Sequence, residues 1–340
     1  MGGCCCGQKE SKSNPKKGLS NETSEKRLLS EDKLKEEEKN GFKAGESGYN
    51  KQKKKPHGID DKAKELQIVK TFLEGKGYDV EKSIGSGNYA EVYKALGKKV
   101  NKTVAVKVID LMKANENYRV NFLQSEINIL RICKHPNIIK MYEICQTKKR
   151  IFMIMEFAQN GTLTDWLKDR GTFTEVTAHL MFTQILAAID HMHSKRIAHR
   201  DLKLENILLT QNFNPKISDF SYAIKYGPDD PKSTSFCGSL PYFSPELLQR
   251  QPYDPMISDI WSLGVCFYIM LNDGLPFKLG NDKLMLKKQL TKDWKFKSKV
   301  EGKLSEELKT IVRKMLEPEP SLRITAEQLK NDNWFVKQLK

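Results

Sequence analysis

The sequence has no apolar run long enough to cross a bilayer, which takes roughly 18 to 20 residues. No apolar segment of signal-peptide form opens it. Its seven cysteines in 340 residues make no framework: Cys4, Cys5 and Cys6 are consecutive, while Cys133, Cys145, Cys237 and Cys266 stand alone. That excludes a disulfide-stapled secreted domain and implies a reducing, cytoplasmic compartment. Zinc-finger spacing, the common nucleic-acid motifs and internal repeats are all absent. The net charge of +15 is therefore read as solvated lysine and arginine spread along the chain, with no nucleic-acid partner. Residues 7–60 are short of branched apolar side chains and rich in Lys, Glu, Ser, Asn and Gly. Such a stretch cannot bury enough surface to offset its ordering entropy, so residues 1–77 read as a disordered basic and polar extension.

Within that extension, MGGCCCGQK carries a second signal. Gly2 could accept myristate once Met1 is removed, and Cys4, Cys5 and Cys6 could accept palmitate. One acyl chain binds membranes marginally, so a second chain or the patch of Lys9, Lys12, Lys16 and Lys17 would be needed for stable anchoring. Cys6 stands where the myristoylation motif wants Ser or Thr. The competing reading is a fortuitous cluster or a weak soft-metal site, although adjacent cysteines lack metal-site spacing. The expectation is a chain tethered to the cytoplasmic face of a membrane.

From Tyr78 the pattern changes. Residues 78–110 alternate apolar and polar between glycine-bearing turns, which predicts three antiparallel strands. FLQSEINILRIC has helical periodicity and ends before Pro136. RIFMIMEFA reads as a continuous apolar strand, and from TLTDWLKDR onward the pattern is helical. DIWSLGVCFYIML is apolar all round, as a buried helix should be. The fold class is α+β with two lobes, a strand-rich one over 78–157 and a larger helical one over 158–335, followed by a short tail at 336–340.

IGSGNYAEV puts Gly85 and Gly87 in a turn between strands, where glycine lets backbone N–H groups approach phosphate oxygens. A Gly-x-Gly hairpin alone is weak, and Ala90 replaces the third glycine of the familiar pattern. A dinucleotide fold is disfavoured because a strand follows. Lys107 in VAVK lies on an apolar strand, and Glu126 follows on a helix, so an ion pair between them would hold the ammonium toward nucleotide phosphates. In HRDLKLEN, Asp201 would accept the proton of a substrate hydroxyl and Asn206 would hold a divalent ion. Asp219 of SDFS would hold the ions that bridge the phosphates.

In this order, with SPE and DIWSLG behind them, these motifs resemble a eukaryotic protein kinase over roughly residues 78–335. The resemblance implies ATP as substrate and Mg2+ as cofactor, with Mn2+ as an alternative ion. It implies catalytic roles for Asp201, Lys203, Lys107 and Glu126. The ATP-binding positions it implies are Ile84, Gly85, Ser86, Gly87, Val92, Ala105, Lys107, Met155, Glu156, Ala158, Glu205 and Leu208. Among these Met155 is the gatekeeper, Glu156 to Ala158 the adenine-bonding hinge, and Val92, Ala105 and Leu208 the ring sandwich. Residue type alone cannot separate that sandwich from ordinary core packing. Thr162 stands where many relatives place a ribose-binding acid. Glu246 would pair with Arg323, and Asp259 would brace the catalytic loop.

Lys203 and CGSLPYFSPE fit the serine/threonine type, with Ser239 near the substrate hydroxyl. YFSPELLQRQPYDPMISDIWSLGVCFYIML is similar to the calcium/calmodulin-dependent group, and within it to testis-specific serine/threonine kinases. The expected partners are protein substrates and an upstream kinase acting on Ser235, with Thr234 or Ser233 as alternatives, and the chain is expected to be a monomer. No carboxyl-terminal inhibitory segment is expected beyond the last helix. Ser221 departs from the pattern, which has glycine after the Asp-Phe pair, so a catalytically weak membrane-tethered scaffold is the alternative reading.

Overall fold

The computed structural model describes residues 59–337, apart from positions 88, 99, 100, 117, 228 and 231. Gly2, Cys4, Cys5 and Cys6, with their expected lipidation, lie outside the described residues. The chain divides into two units, residues 1–65 and 66–340. Of the first unit, only the opening turns of a helix are described. Everything below concerns the second.

β-Branched residues build its sheet. Strands β1 (Tyr78–Ser86), β2 (Ala90–Gly97), β3 (Lys102–Asp110), β4 (Met141–Gln146) and β5 (Arg150–Glu156) pair antiparallel in the order β1-β2-β3-β5-β4. The two-residue period of a strand divides β3 into faces. Val104, Val106 and Val108 join Tyr93, Ala95, Phe152 and Ile154 in one buried cluster. Ala105, Lys107 and Ile109 lie on the opposite face.

Of helix α1 (Ile59–Glu74), the part from Leu66 onward covers the first face. Its Val69 and Leu73 are buried in that cluster, and Phe72 stacks on Phe152 with ring centroids 4.3 Å apart. The expectation of disorder as far as residue 77 is corrected here. Leu66, Val69 and Leu73 recur at helical spacing among Lys, Glu and Gln, too sparsely to stand out from the extension. What orders them is an apolar sheet face assembled from distant strands, and most helix stability comes from such packing.

A π-helical turn (Tyr118–Leu123) leads into α2 (Gln124–Ile132). The second lobe opens with α3 (Leu163–Arg170) and α4 (Glu175–Ser194), followed by the short pairs β6 (Ile197–Ala198) with β9 (Ile224–Lys225) and β7 (Ile207–Leu209) with β8 (Pro215–Ile217). The helices α5 (Pro245–Leu248), α6 (Pro255–Asn272), α7 (Asp282–Leu290), α8 (Ser298–Glu301), α9 (Glu306–Met315), α10 (Ala326–Lys330) and α11 (Asn333–Val336) complete it. Helix α6 is long and apolar enough to cross a membrane, yet 83% of it is buried in the protein, as the core helix of this lobe. Gly264 lets α9 come close: a Cβ there would sit 2.9 Å from Met315 Cβ. Arg323 and Glu246 form a bidentate buried pair at 2.7 and 3.0 Å, joining the start of α5 to the loop before α10.

Candidate active site

Sheet register gathers the first half of the site. Lys107 faces Val92 across β2–β3, and Ala105 faces Met155 across β3–β5. Directly opposed residues share a face, so Val92, Ala105, Lys107 and Met155 all lie on the side away from α1. Ala105 is buried, and Val92, Met155, Glu156 and Ala158 are half-buried. Leu208 of β7 bridges to Thr162 and, like Met155, packs against the large buried cluster that includes Ile207, Leu209 and Ile217. Ile84, Gly85, Ser86 and Gly87 are exposed along the β1 end of the glycine-bearing turn, with Gly87 N–H donating to Ala90 O at 2.7 Å.

The two glycines have no left-handed φ, and a Cβ on either would meet only ordinary contacts. The fold itself therefore does not require glycine at 85 or 87. A ligand lying along this backbone would.

Lys107 Nζ donates to Glu126 Oε1 at 2.6 Å and to Asp219 Oδ1 at 3.1 Å. Burial alone would pull the ammonium down, but Asp219 and then Glu126 outweigh it, and its pKa is raised. Lys107 holds the Asp219 carboxyl well below the usual range against the opposing effect of burial, and a bond from Ser221 adds to the lowering. Asp219 is 44% exposed, so water screens the pair and its worth as stabilisation is modest. Glu126 has a second partner that the sequence did not reveal: Tyr118 Oη donates to its other oxygen at 3.3 Å. The Tyr118 ring lies 5.3 Å from that of Tyr89 at the glycine turn. Both oxygens of Glu126 are thereby fixed, and no motif signals it, because Tyr118 meets Glu126 only through the π-helical turn.

The second half is the loop after β6. Asp259 of α6 accepts His199 N–H at 2.7 Å and Arg200 N–H at 2.8 Å, bracing the loop from below. Asp201 Oδ2 accepts Lys203 Nζ at 2.7 Å and Asn206 Nδ2 at 3.1 Å, and Oδ1 accepts Ser239 Oγ at 2.8 Å. Lys203 also donates to Ser239 Oγ at 2.9 Å. Asn206 Nδ2 points at the Asp201 backbone too, at 2.8 Å, which turns its carbonyl oxygen away from Asp201. Glu205 is exposed, and its carboxylate accepts from Tyr242 at the longer distance of 3.5 Å. Thr162 is occupied locally: it caps α3 in a reciprocal pair with Asp165, whose carboxyl those bonds lower.

Asp219 and Asn206 offer two hard oxygen donors. That suits Mg2+, which keeps waters and binds through few protein ligands plus substrate phosphates. Among the described residues there is no cluster of three or more His, Cys, Asp and Glu that could cage a metal unaided. The donor set fits an ion shared with a phosphate ligand.

In the segment that follows, Thr234 and Ser235 are exposed, whereas Ser233 is half-buried and bridged to Tyr253 by N–H to O bonds of 2.9 and 3.0 Å. Arg200 Nε donates to Tyr222 O at 2.7 Å, and its Nη1 is buried without a hydrogen-bond partner. Burial first, then Cys237, push the Tyr253 hydroxyl up to about 12.

A two-lobed fold with these parts has the form of a protein kinase, and the comparisons agree. The protein kinase domain family matches residues 78–335. Mouse testis-specific serine/threonine-protein kinase 1 is 38% identical over 77% of this chain and 73% of its own length. Human testis-specific serine/threonine-protein kinase 4 is 35% identical over 78% and 85%. Mouse serine/threonine-protein kinase SIK1 is 36% identical over 76% of this chain, which spans only 32% of that relative. The chain belongs to the protein kinase family. Its named relatives are serine/threonine kinases, consistent with the calcium/calmodulin-dependent group.

Proposed function

We propose that this chain is an active serine/threonine kinase that transfers the γ-phosphate of ATP to hydroxyls of protein substrates. The contact between Ser239 and Asp201 carries the reading: a serine hydroxyl donates to this carboxylate with the Lys203 ammonium alongside. A substrate hydroxyl in that position would hand its proton to Asp201 as the oxygen attacks the γ-phosphorus and the bond to the departing ADP oxygen breaks, and Lys203 would balance the charge that gathers there. Lys107, steadied by Glu126, would orient the phosphates, and the glycine turn would lie over them. Asp219 and Asn206 would hold Mg2+, whose contribution is to neutralise phosphate charge. All four residues whose loss would disable such a site, Lys107, Asp201, Asn206 and Asp219, are present. That favours catalysis over the scaffold reading. Asp201→Asn tests the assignment: it should bind magnesium-ATP within about threefold of wild type yet transfer phosphate at least about 100-fold more slowly. Transfer within tenfold of wild type would remove Asp201 from the role.

Phosphorylation of the segment at Ser235 is the proposed switch. Ser233 is half-buried and its hydroxyl accepts the Ser235 N–H, whereas Ser235 and Thr234 are exposed, which makes those two the better acceptors. A phosphate adds roughly −1.5 to −2 charges, and the Arg200 guanidinium has a donor without a partner to receive it. Ser235→Ala is expected to lower activity about tenfold or more with ATP affinity nearly intact, measured by steady-state kinetics on protein treated with an activating kinase. Full activity in Ser235→Ala carrying no phosphate on Ser233 or Thr234 would contradict the switch.

A further inference from the structure

Ser221 takes part in the site. Its hydroxyl donates to Asp219 Oδ1 and accepts from Lys107 Nζ at 3.0 Å, while Lys107 reaches the same carboxylate oxygen at 3.1 Å. A glycine could make neither hydroxyl contact. Nor does the position need glycine's backbone freedom. The left-handed φ falls two residues earlier, on Asp219 at 58°, and Ser221 is not among the described residues with positive φ. A left-handed non-glycine residue is uphill and persists only when its surroundings hold it.

Those surroundings are specific. Phe220 is fully buried, its ring 5.0 Å from His199. Tyr222 O accepts Arg200 Nε at 2.7 Å, and Ala223 O accepts Ser125 Oγ at 2.9 Å. Residues 221, 222 and 223 are thus tied in turn to β3, to the catalytic loop and to α2.

We propose that Ser221 is a positioning residue whose hydroxyl holds the Asp219 carboxylate toward Lys107 before nucleotide arrives, and so keeps Phe220 in its buried seat. Swinging Asp219 away breaks its bonds from the Ser221 hydroxyl and the Lys107 ammonium, both to a charged carboxylate, and such bonds are stronger than neutral ones. A ligand that binds with Asp219 and Phe220 in place meets a preorganised site, whereas one that needs the Phe220 seat vacated meets a closed one. This rests on the kinase reading only for the role of Asp219. Amide exchange in nucleotide-free protein needs no catalysis, so its outcome is separate from the outcome of the transfer assay.

The test is hydrogen exchange at the backbone amides of residues 219–223 in the full chain, comparing wild type, Ser221→Ala and Ser221→Thr, which keeps the hydroxyl. Exchange should rise about tenfold or more in Ser221→Ala and stay within about twofold of wild type in Ser221→Thr. Magnesium-ADP affinity, measured by calorimetry, should fall severalfold in Ser221→Ala and recover in Ser221→Thr. Wild-type exchange in Ser221→Ala overturns the proposal, as does unchanged magnesium-ADP affinity in that variant. Equal acceleration in the alanine and threonine variants also overturns it, because the effect would then not belong to the hydroxyl.

Discussion

Asp219→Asn is expected to slow phosphate transfer by roughly 1,000-fold while the folded chain melts within about 2 °C of wild type. The substitution keeps size and the tolerance of asparagine for the left-handed φ that Asp219 adopts, so it isolates the charge. Lys107 keeps Glu126 at 2.6 Å, which leaves no buried cation alone. What disappears is the negative charge on one of the two oxygen donors proposed for a divalent ion, and with it the group that would balance charge there during transfer. A 1,000-fold loss corresponds to about 4 kcal/mol of transition-state stabilisation, within the range of a single electrostatic contact in a preorganised site. The check is single-turnover transfer across a magnesium titration, with thermal melting alongside. Transfer within tenfold of wild type at ordinary magnesium would remove Asp219 from the ion site.

The largest stability effect is expected at Arg323. Its side chain is fully buried, and its donors reach Glu246 at 2.7 and 3.0 Å, Glu317 O at 2.8 Å, Ile257 O at 3.1 Å and Pro318 O at 3.3 Å. The guanidinium also lies over Trp261, 5.1 Å from the ring centroid. Arg323→Ala strands the Glu246 carboxylate in the interior, and breaking such a pair costs roughly 3–5 kcal/mol. For a domain of this size that corresponds to a fall in Tm of roughly 6–20 °C. Arg323→Met combined with Glu246→Leu should be less damaging than Arg323→Ala, because removing both charges leaves no unpaired ion. Calorimetric melting measures this. A loss under about 1 kcal/mol in Arg323→Ala, or a double variant worse than the single one, would mean that the pair is not what holds α5 to the loop before α10.

Much of this was legible because the chemistry sits in short motifs. Lys107 and Glu126 could be paired from sequence: a lysine on an apolar strand and a carboxylate on the next helix have few other satisfying partners once buried. The three strands from Tyr78 followed from alternation, and α6 from an apolar pattern on every side. Helix α1 was not legible. Its few apolar residues acquire meaning only against Tyr93, Val106 and Phe152, which the chain brings together later. Ser221 was legible as a departure but not in its effect, because the sequence cannot say which residue of Asp-Phe-Ser takes the left-handed conformation. Asp219 takes it, and the serine is free to bond sideways. Tyr118 was invisible for a related reason: its contact with Glu126 depends on the wider winding of a π-helical turn rather than on a residue pattern.

The most direct test of the central claim is the product of the wild-type chain, phosphorylated on its activation segment. It would be mixed with magnesium and γ-labelled ATP and with peptides that offer serine, threonine and tyrosine in equal amounts. The account predicts label on serine and threonine, absent in the Asp201→Asn control. No labelled peptide from the wild-type chain would contradict it in favour of a scaffold, and phosphotyrosine as the main product would contradict the serine/threonine assignment.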